Sequence, residues 1–162
     1  MPEERDPGRR SLPHLPSREF PNQSIIQYLT VNVASRRPLL ARREVHELLV
    51  KSWREAGFWL VGRYVIMPDH VHLFCTPGCW PPTPLKQWVQ CWRANATRGW
   101  PHPQEKPIWQ RDFFDRQLQS GESYRAKWSY LRENPVKAGL VPRADDWPYQ
   151  GELNVLSWHE AD

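Results

Sequence analysis

Cysteine is scarce in this sequence. Only Cys75, Cys79 and Cys91 occur among 162 residues, an odd count that fits no disulfide framework. Long apolar runs are missing as well: nothing approaches the roughly 18 residues that a membrane span needs. The opening stretch, MPEERDPGRR, is polar and holds no apolar core of the kind a secretory leader carries. No segment repeats. Charge of one sign does not dominate, since 22 Lys and Arg against 18 Asp and Glu leave a net charge of +4. That small excess is compatible with nucleic acid but does not establish it. These absences argue against a disulfide-built secreted module and a helical membrane protein. The expectation is a cytoplasmic protein of a reducing compartment, with no membrane partner.

Tryptophan, by contrast, is abundant, at ten residues. Indoles can fill a core or offer flat faces to bases, and Trp80 and Trp100 are candidates for the second role. Residues 1–22 are rich in Pro, Arg and acidic groups without a period, which predicts a flexible arm. A domain over 23–152 and a tail over 153–162 account for the rest. Ile25 to Val33 is rich in β-formers and predicts a strand. Val45, Leu48, Leu49, Trp53 and Ala56 recur at helical spacing, predicting a helix over 42–56 with Gly57 at its cap. Phe58 to Ile66 predicts a second strand. Met67-Pro68-Asp69 then turns the chain into a third, antiparallel strand. After a Pro-rich loop, Thr83 is placed to cap a helix with Pro84 in its first turn and Leu85, Trp88, Val89, Trp92 and Ala96 as its buried stripe. A short strand is expected between Ile108 and Phe114. Ser120-Gly121-Glu122 opens a third helix, and Pro135 stops it. The order β-α-β-β-α-β-α fits an α+β, ferredoxin-like (split βαβ) fold. Its sheet has four antiparallel strands with helices on one face and a late helix near the C-terminus.

The third strand carries the chemistry. In Met67-Pro68-Asp69-His70-Val71-His72-Leu73-Phe74, alternation puts His70 and His72 on one face and sends Val71 and Leu73 to the other. Two imidazoles one pleat apart can reach a single cation and leave positions open for an oxygen substrate. The competing reading is one buried histidine and one exposed. In the late helix, Tyr130 and Asn134 stand four apart and so share a face. A tyrosine hydroxyl attacks only when activated, and a metal can help by polarising a phosphate. A carboxamide one turn on could complete a site holding Mg²⁺ or Mn²⁺ as readily as Zn²⁺. Alone, each residue is equally at home as an ordinary helix residue.

The segments YVIMPDHVHLF, WQRDFFDRQLQSGESYRAKWSYLRENPVKAGLV and ADDWPYQGE resemble the REP-associated tyrosine transposases, over roughly residues 23–152. That family is related to the single-strand transposases of small bacterial insertion sequences and belongs to the HUH endonucleases, named for His, a bulky apolar residue, His. The matching residues are His70, Val71 and His72. The resemblance implies that His70 and His72, completed by Asn134, bind Mg²⁺ or Mn²⁺. It implies that Tyr130 attacks single-stranded DNA that folds into hairpins, leaving a 5′-phosphotyrosine. The implied location is the cytoplasm, in association with the nucleoid. Asp69 departs from the resemblance, standing where the family more often has Asn. Relatives act as dimers with exchanged helices, and the resemblance does not fix whether this chain is a monomer or a homodimer.

Three other readings compete. A catalytically silent, domesticated relative would bind hairpin DNA and cut nothing. A structural zinc cluster would use His70, His72, Cys75 and Cys79, although alternation turns Cys75 away from the histidines. A His and Asp hydrolase would recruit Asp112 and Asp115 as ligands and attack with water. For holding DNA, the candidates are Arg36, Arg37, Arg42 and Arg43 in the first turn, and Lys127 and Arg132 on the late helix.

Overall fold

The computed structural model describes residues 24–159; the arm expected over 1–22 lies outside them. Five strands and four α-helices follow in the order β1 (Gln27–Asn32), α1 (Arg43–Glu55), β2 (Trp59–Ile66), β3 (His70–Pro77), α2 (Leu85–Arg98), β4 (Phe114–Gln117), α3 (Tyr124–Leu131), α4 (Asn134–Lys137) and β5 (Gln150–Glu152). All neighbours pair antiparallel in the order β4-β1-β3-β2-β5. The first four strands form the expected ferredoxin-like sheet, with the His-x-His strand β3 at its centre. The fifth is a correction to the expected four. β5 pairs with β2 through Tyr64 opposite Gly151, and so covers backbone that would otherwise be an open edge.

Local chemistry explains most elements. α1 buries Val45, Leu49 and Trp53, and α2 buries Leu85, Trp88, Val89, Trp92 and Ala96, each a stripe at helical spacing. Both stripes pack on the sheet face that carries Leu29, Val31, Val71, Leu73 and Cys75. Trp53, Trp59, Trp88 and Trp92 are wholly buried there, so most of the tryptophan load is core. Two buried indoles find carbonyl acceptors, Trp59 on Thr83 and Trp88 on Ala56.

The helix ends differ from expectation in three places. Thr83 does not cap α2, because Pro84 occupies the cap position with no side-chain bond. α3 begins after Ser123, whose hydroxyl accepts from the Ala126 amide, rather than at Ser120. Pro135 does not stop α3, which already ends at Leu131; it sits buried in the first turn of α4, where its missing N–H costs nothing. The expectation of helices on one face holds for α1 and α2. α3 packs on the opposite face, where Tyr124 joins Ile26 and Phe74 with Trp128 and Leu131 alongside. The chain past β5 continues over the sheet, with Leu153 and Asn154 amides donating to Gly62 and Val61. Among the described residues no helix is long and apolar enough to cross a membrane.

Candidate metal and tyrosine site

The β2–β3 turn sets the site. It closes with the Met67 amide donating to the His70 carbonyl, so β3 starts at His70 and alternation does the rest. Val71 and Leu73 enter the core, while His70 and His72 stand on the other face. Strand β1 lays Thr30 opposite His72 and Asn32 opposite His70. The two rings meet edge to face with their Nε2 atoms 3.1 Å apart.

Each ring's second nitrogen is held by the protein. His70 Nδ1 lies 2.7 Å from Asp69 Oδ1. Burial raises the Asp69 carboxyl, but hydrogen bonds from His70 and Arg36 outweigh it and bring the group below its ordinary value. An ionised carboxylate only accepts, so His70 donates from Nδ1 and keeps a lone pair on Nε2. His72 Nδ1 lies 2.7 Å from Tyr28 Oη and 2.9 Å from Thr30 Oγ1. Thr30 donates its own hydrogen to Tyr28 Oη. The His72 tautomer with its proton on Nδ1, donated to these hydroxyl oxygens, is the one that presents a bare Nε2 to a cation. Burial pushes both imidazoles down, His72 to about 3 with the nearby His70 and Arg36 charges adding to the effect.

In that tautomer two lone pairs converge, an arrangement that a cation relieves and a proton shared between the nitrogens would also satisfy. Nitrogens ~2.1 Å from one ion in neighbouring octahedral positions lie about 3.0 Å apart, close to the separation seen here, so the donor set fits a divalent metal. Two nitrogen ligands leave positions for oxygen donors.

Arg36 completes the outer shell. Its Nε donates to Asp69 Oδ2 at 2.9 Å. To reach there the backbone bends through two consecutive left-handed residues, Ser35 at φ 58° and Arg36 at φ 53°. Such conformations are uncommon away from glycine and are concentrated at functional sites.

Tyr130 is on α3, 68% exposed, with Lys137 Nζ from α4 3.6 Å from the centre of its ring. It lines a groove of about 260 Å³ together with Tyr28, Phe114, Arg116 and Lys127. Tyr28 is the joint between the two parts, since the same side chain that walls the groove bonds His72 and stacks on it with ring centroids 5.7 Å apart. Asn134 heads α4 half-buried. Its side chain makes no hydrogen bond among the described residues, to the histidine pair or elsewhere.

No protein-family model matches the chain. The REP-associated tyrosine transposase of Escherichia coli is 28% identical over 125 residues, 75% of this chain and 73% of that protein. The fold matches a solved structure of a REP-associated tyrosine transposase bound to a REP hairpin, with a TM-score of 0.67, 22% identity and coverage of 84% of this chain and 81% of that one. The chain is thus similar in sequence and in fold to REP-associated tyrosine transposases. A relative of the same family description from Haemophilus influenzae is 28% identical over 96 residues, 52% of this chain and 53% of its own length.

Within this chain the basic residues divide by partner. Arg36 belongs to the site. Arg37 is spent on the carbonyls of Ala34, Glu105 and Pro107. Arg42 forks onto the Glu105 carboxylate, 2.8 Å away. Arg43 is solvated and pairs along its own helix with Glu47. Lys127 lines the groove and pairs with Glu122, and Arg132 pairs with Asp145. Trp100 is buried, with its indole donating to Glu105, and so offers no stacking face; Trp80 is 61% exposed. Among the described residues no group of three or more His, Cys, Asp or Glu converges as a metal cluster. That removes both the zinc cluster and the Asp112 and Asp115 ligand set. Cys75 is buried on the core face, and Asp112 accepts from the Phe113 amide. The sequence reading missed Tyr28, Thr30, Phe114 and Arg116. Tyr28 and Thr30 carried one visible signal, polar-edged positions alternating with Leu29 and Val31.

Proposed function

We propose that this chain is a single-strand DNA endonuclease and strand transferase acting on hairpin-forming DNA, with Tyr130 as its nucleophile. The observation that carries the reading is the pair of convergent histidine Nε2 atoms on a face whose groove is walled by Tyr130. The REP hairpin held by the solved relative supports hairpin DNA as the substrate. His70 and His72, with Asn134 as candidate third ligand, would hold a divalent cation, Mg²⁺ or Mn²⁺, which would supply positive charge against the oxygens of the scissile phosphate. Asp69, Thr30 and Tyr28 keep both imidazoles turned toward that charge. Tyr130 Oη attacks phosphorus and the bond to the 3′ oxygen breaks. The tyrosine gives its proton to solvent and the departing oxygen takes one up, leaving a 5′-phosphotyrosine and a 3′-hydroxyl. The phosphodiester energy stays in the protein–DNA bond, so the hydroxyl can rejoin without a nucleotide cofactor. Association with the nucleoid follows from the same DNA affinity.

The test is a denaturing gel with hairpin oligonucleotides from palindromes beside the gene, with Mg²⁺ or Mn²⁺, comparing the chain with Tyr130→Phe. A slow covalent species that requires metal and is absent in the variant is expected. Cleavage that persists in Tyr130→Phe overturns the nucleophile in favour of water. The competing reading is a hairpin-binding protein that cuts nothing. Tight binding without cleavage under either metal would establish it.

A further inference from the structure

We infer that the groove between β4 and α3 binds one unpaired nucleobase of the DNA strand, stacked on Phe114, with the adjoining phosphate against Arg116 and Lys127. The inference rests on the proposed DNA-processing function and gives it a subsite. Its starting point is a pair of neighbours with opposite fates: Phe113 is 2% exposed in the core, whereas Phe114 is 47% exposed. Phe114 begins the edge strand β4, and an exposed aromatic there is not explained by packing.

Sheet register ties Phe114 to the histidines. It lies opposite Thr30, and Thr30 lies opposite His72, so the three form one cross-strand row on the site face. The next row on that face is Arg116, Tyr28 and Phe74. Tyr28 meets Phe114 edge-on with ring centroids 6.1 Å apart. The groove therefore has an aromatic lining, to which Phe114 and Tyr130 both contribute. At its mouth Arg116 and Lys127 each pair with Glu122 at 2.9 Å. Two cations sharing one carboxylate leave positive charge.

An apolar side chain from a second copy would use the aromatic lining and gain nothing from that charge. A nucleotide has a flat π-face and one negative phosphate, and matches both features. Because Tyr28 bonds His72, a base in the groove sits beside the place where the phosphate would meet the histidine pair.

The experiment uses the full chain carrying Tyr130→Phe, so that DNA is held and not cut. Hairpin oligonucleotides with short unpaired flanks carry 2-aminopurine at each unpaired position in turn. One position is expected to lose fluorescence on binding. Phe114→Leu, which keeps apolar bulk without a π-face, should abolish that loss and weaken binding roughly ten-fold, while Phe114→Tyr should retain both. Unchanged quenching and affinity in Phe114→Leu overturn the inference. So does a Phe114→Leu chain altered only in self-association by light scattering, which would assign the face to a second copy. Hairpins bound by no version of the chain would sink the DNA-processing function itself and the subsite with it.

Discussion

Asp69 holds the His70 ring through Nδ1 and is itself held by Arg36. An asparagine in its place would accept the same hydrogen bond through its amide oxygen but bring no charge. The aspartate makes His70 a stronger ligand for a cation, and the same charge disfavours a phosphate nearby. The Arg36 guanidinium offsets that second effect, on a residue whose own backbone is left-handed, a conformation concentrated at functional sites. Asp69→Ala is therefore expected to weaken Mn²⁺ binding by about 10- to 100-fold, measured by electron paramagnetic resonance titration. In the metal-free protein, nitrogen NMR should show His70 losing its single Nδ1–H tautomer. Asp69→Asn should keep the tautomer and lose less affinity. An Asp69→Ala chain with unaltered Mn²⁺ affinity and tautomer would remove the aspartate from the site.

At the scale of elements, the Arg-rich segment before α1 is a clamp more than a DNA grip. Arg37 and Arg42 fasten it to the link between α2 and β4 through Glu105 and Pro107. Arg37→Ala should lower the unfolding free energy by about 1–3 kcal/mol, since it strands backbone carbonyls, and leave the salt dependence of hairpin binding as it was. Arg116→Ala should do the opposite, reducing the slope of log affinity against log salt by roughly 0.7 for one lost single-strand phosphate contact. Urea unfolding and anisotropy across a salt series measure the two effects, and an exchange of the two patterns would return Arg37 to the DNA. The four arginines read as one cluster in the sequence because spacing is local, whereas the partners that fasten Arg37 and Arg42 across the fold lie 63 to 70 residues away. The same distinction runs through the molecule. β1, β2, β3, α1 and α2 were legible because alternation and helical spacing are written within each segment, and so was the His70 and His72 face. Tyr28, Thr30 and Phe114 were not, because their approach to the histidines depends on the β1–β3 and β1–β4 registers. β5, three residues long, has too short a period to see and exists through its partner strand.

The whole molecule is a sheet with one sealed face and one partly open face. α1 and α2 close the first. α3 and the end of the chain cross only part of the second, so the proposed metal ligands and the proposed nucleophile arrive on different elements. His70 and His72 ride on β3 with their outer shell from β1 and the turn. Tyr130 rides on α3, whose first residue, Tyr124, ties the helix to β2. There the Arg63 amide donates to Tyr124 Oη at 3.0 Å, and Trp158 from the chain's end donates to the Glu122 carbonyl just ahead of the helix. Gly62 makes that tie possible: a Cβ at this position would lie 2.6 Å from Leu156 Cδ1 and 2.7 Å from Tyr124 Oη. Leu156 can turn aside, but the Tyr124 ring cannot without giving up its bond to the strand. Gly62→Ala is thus expected to cost about 1–3 kcal/mol in unfolding free energy, as overpacking does, and to displace α3 relative to the sheet. Tyr130-dependent cleavage should fall while Mn²⁺ affinity at His70 and His72 stays within error of the parent chain, because nothing in the histidine shell touches Gly62. Parallel loss of metal affinity would show that the two halves of the site are one body. Cleavage that survives the substitution would show that α3 does not need its tie to β2 to present the tyrosine.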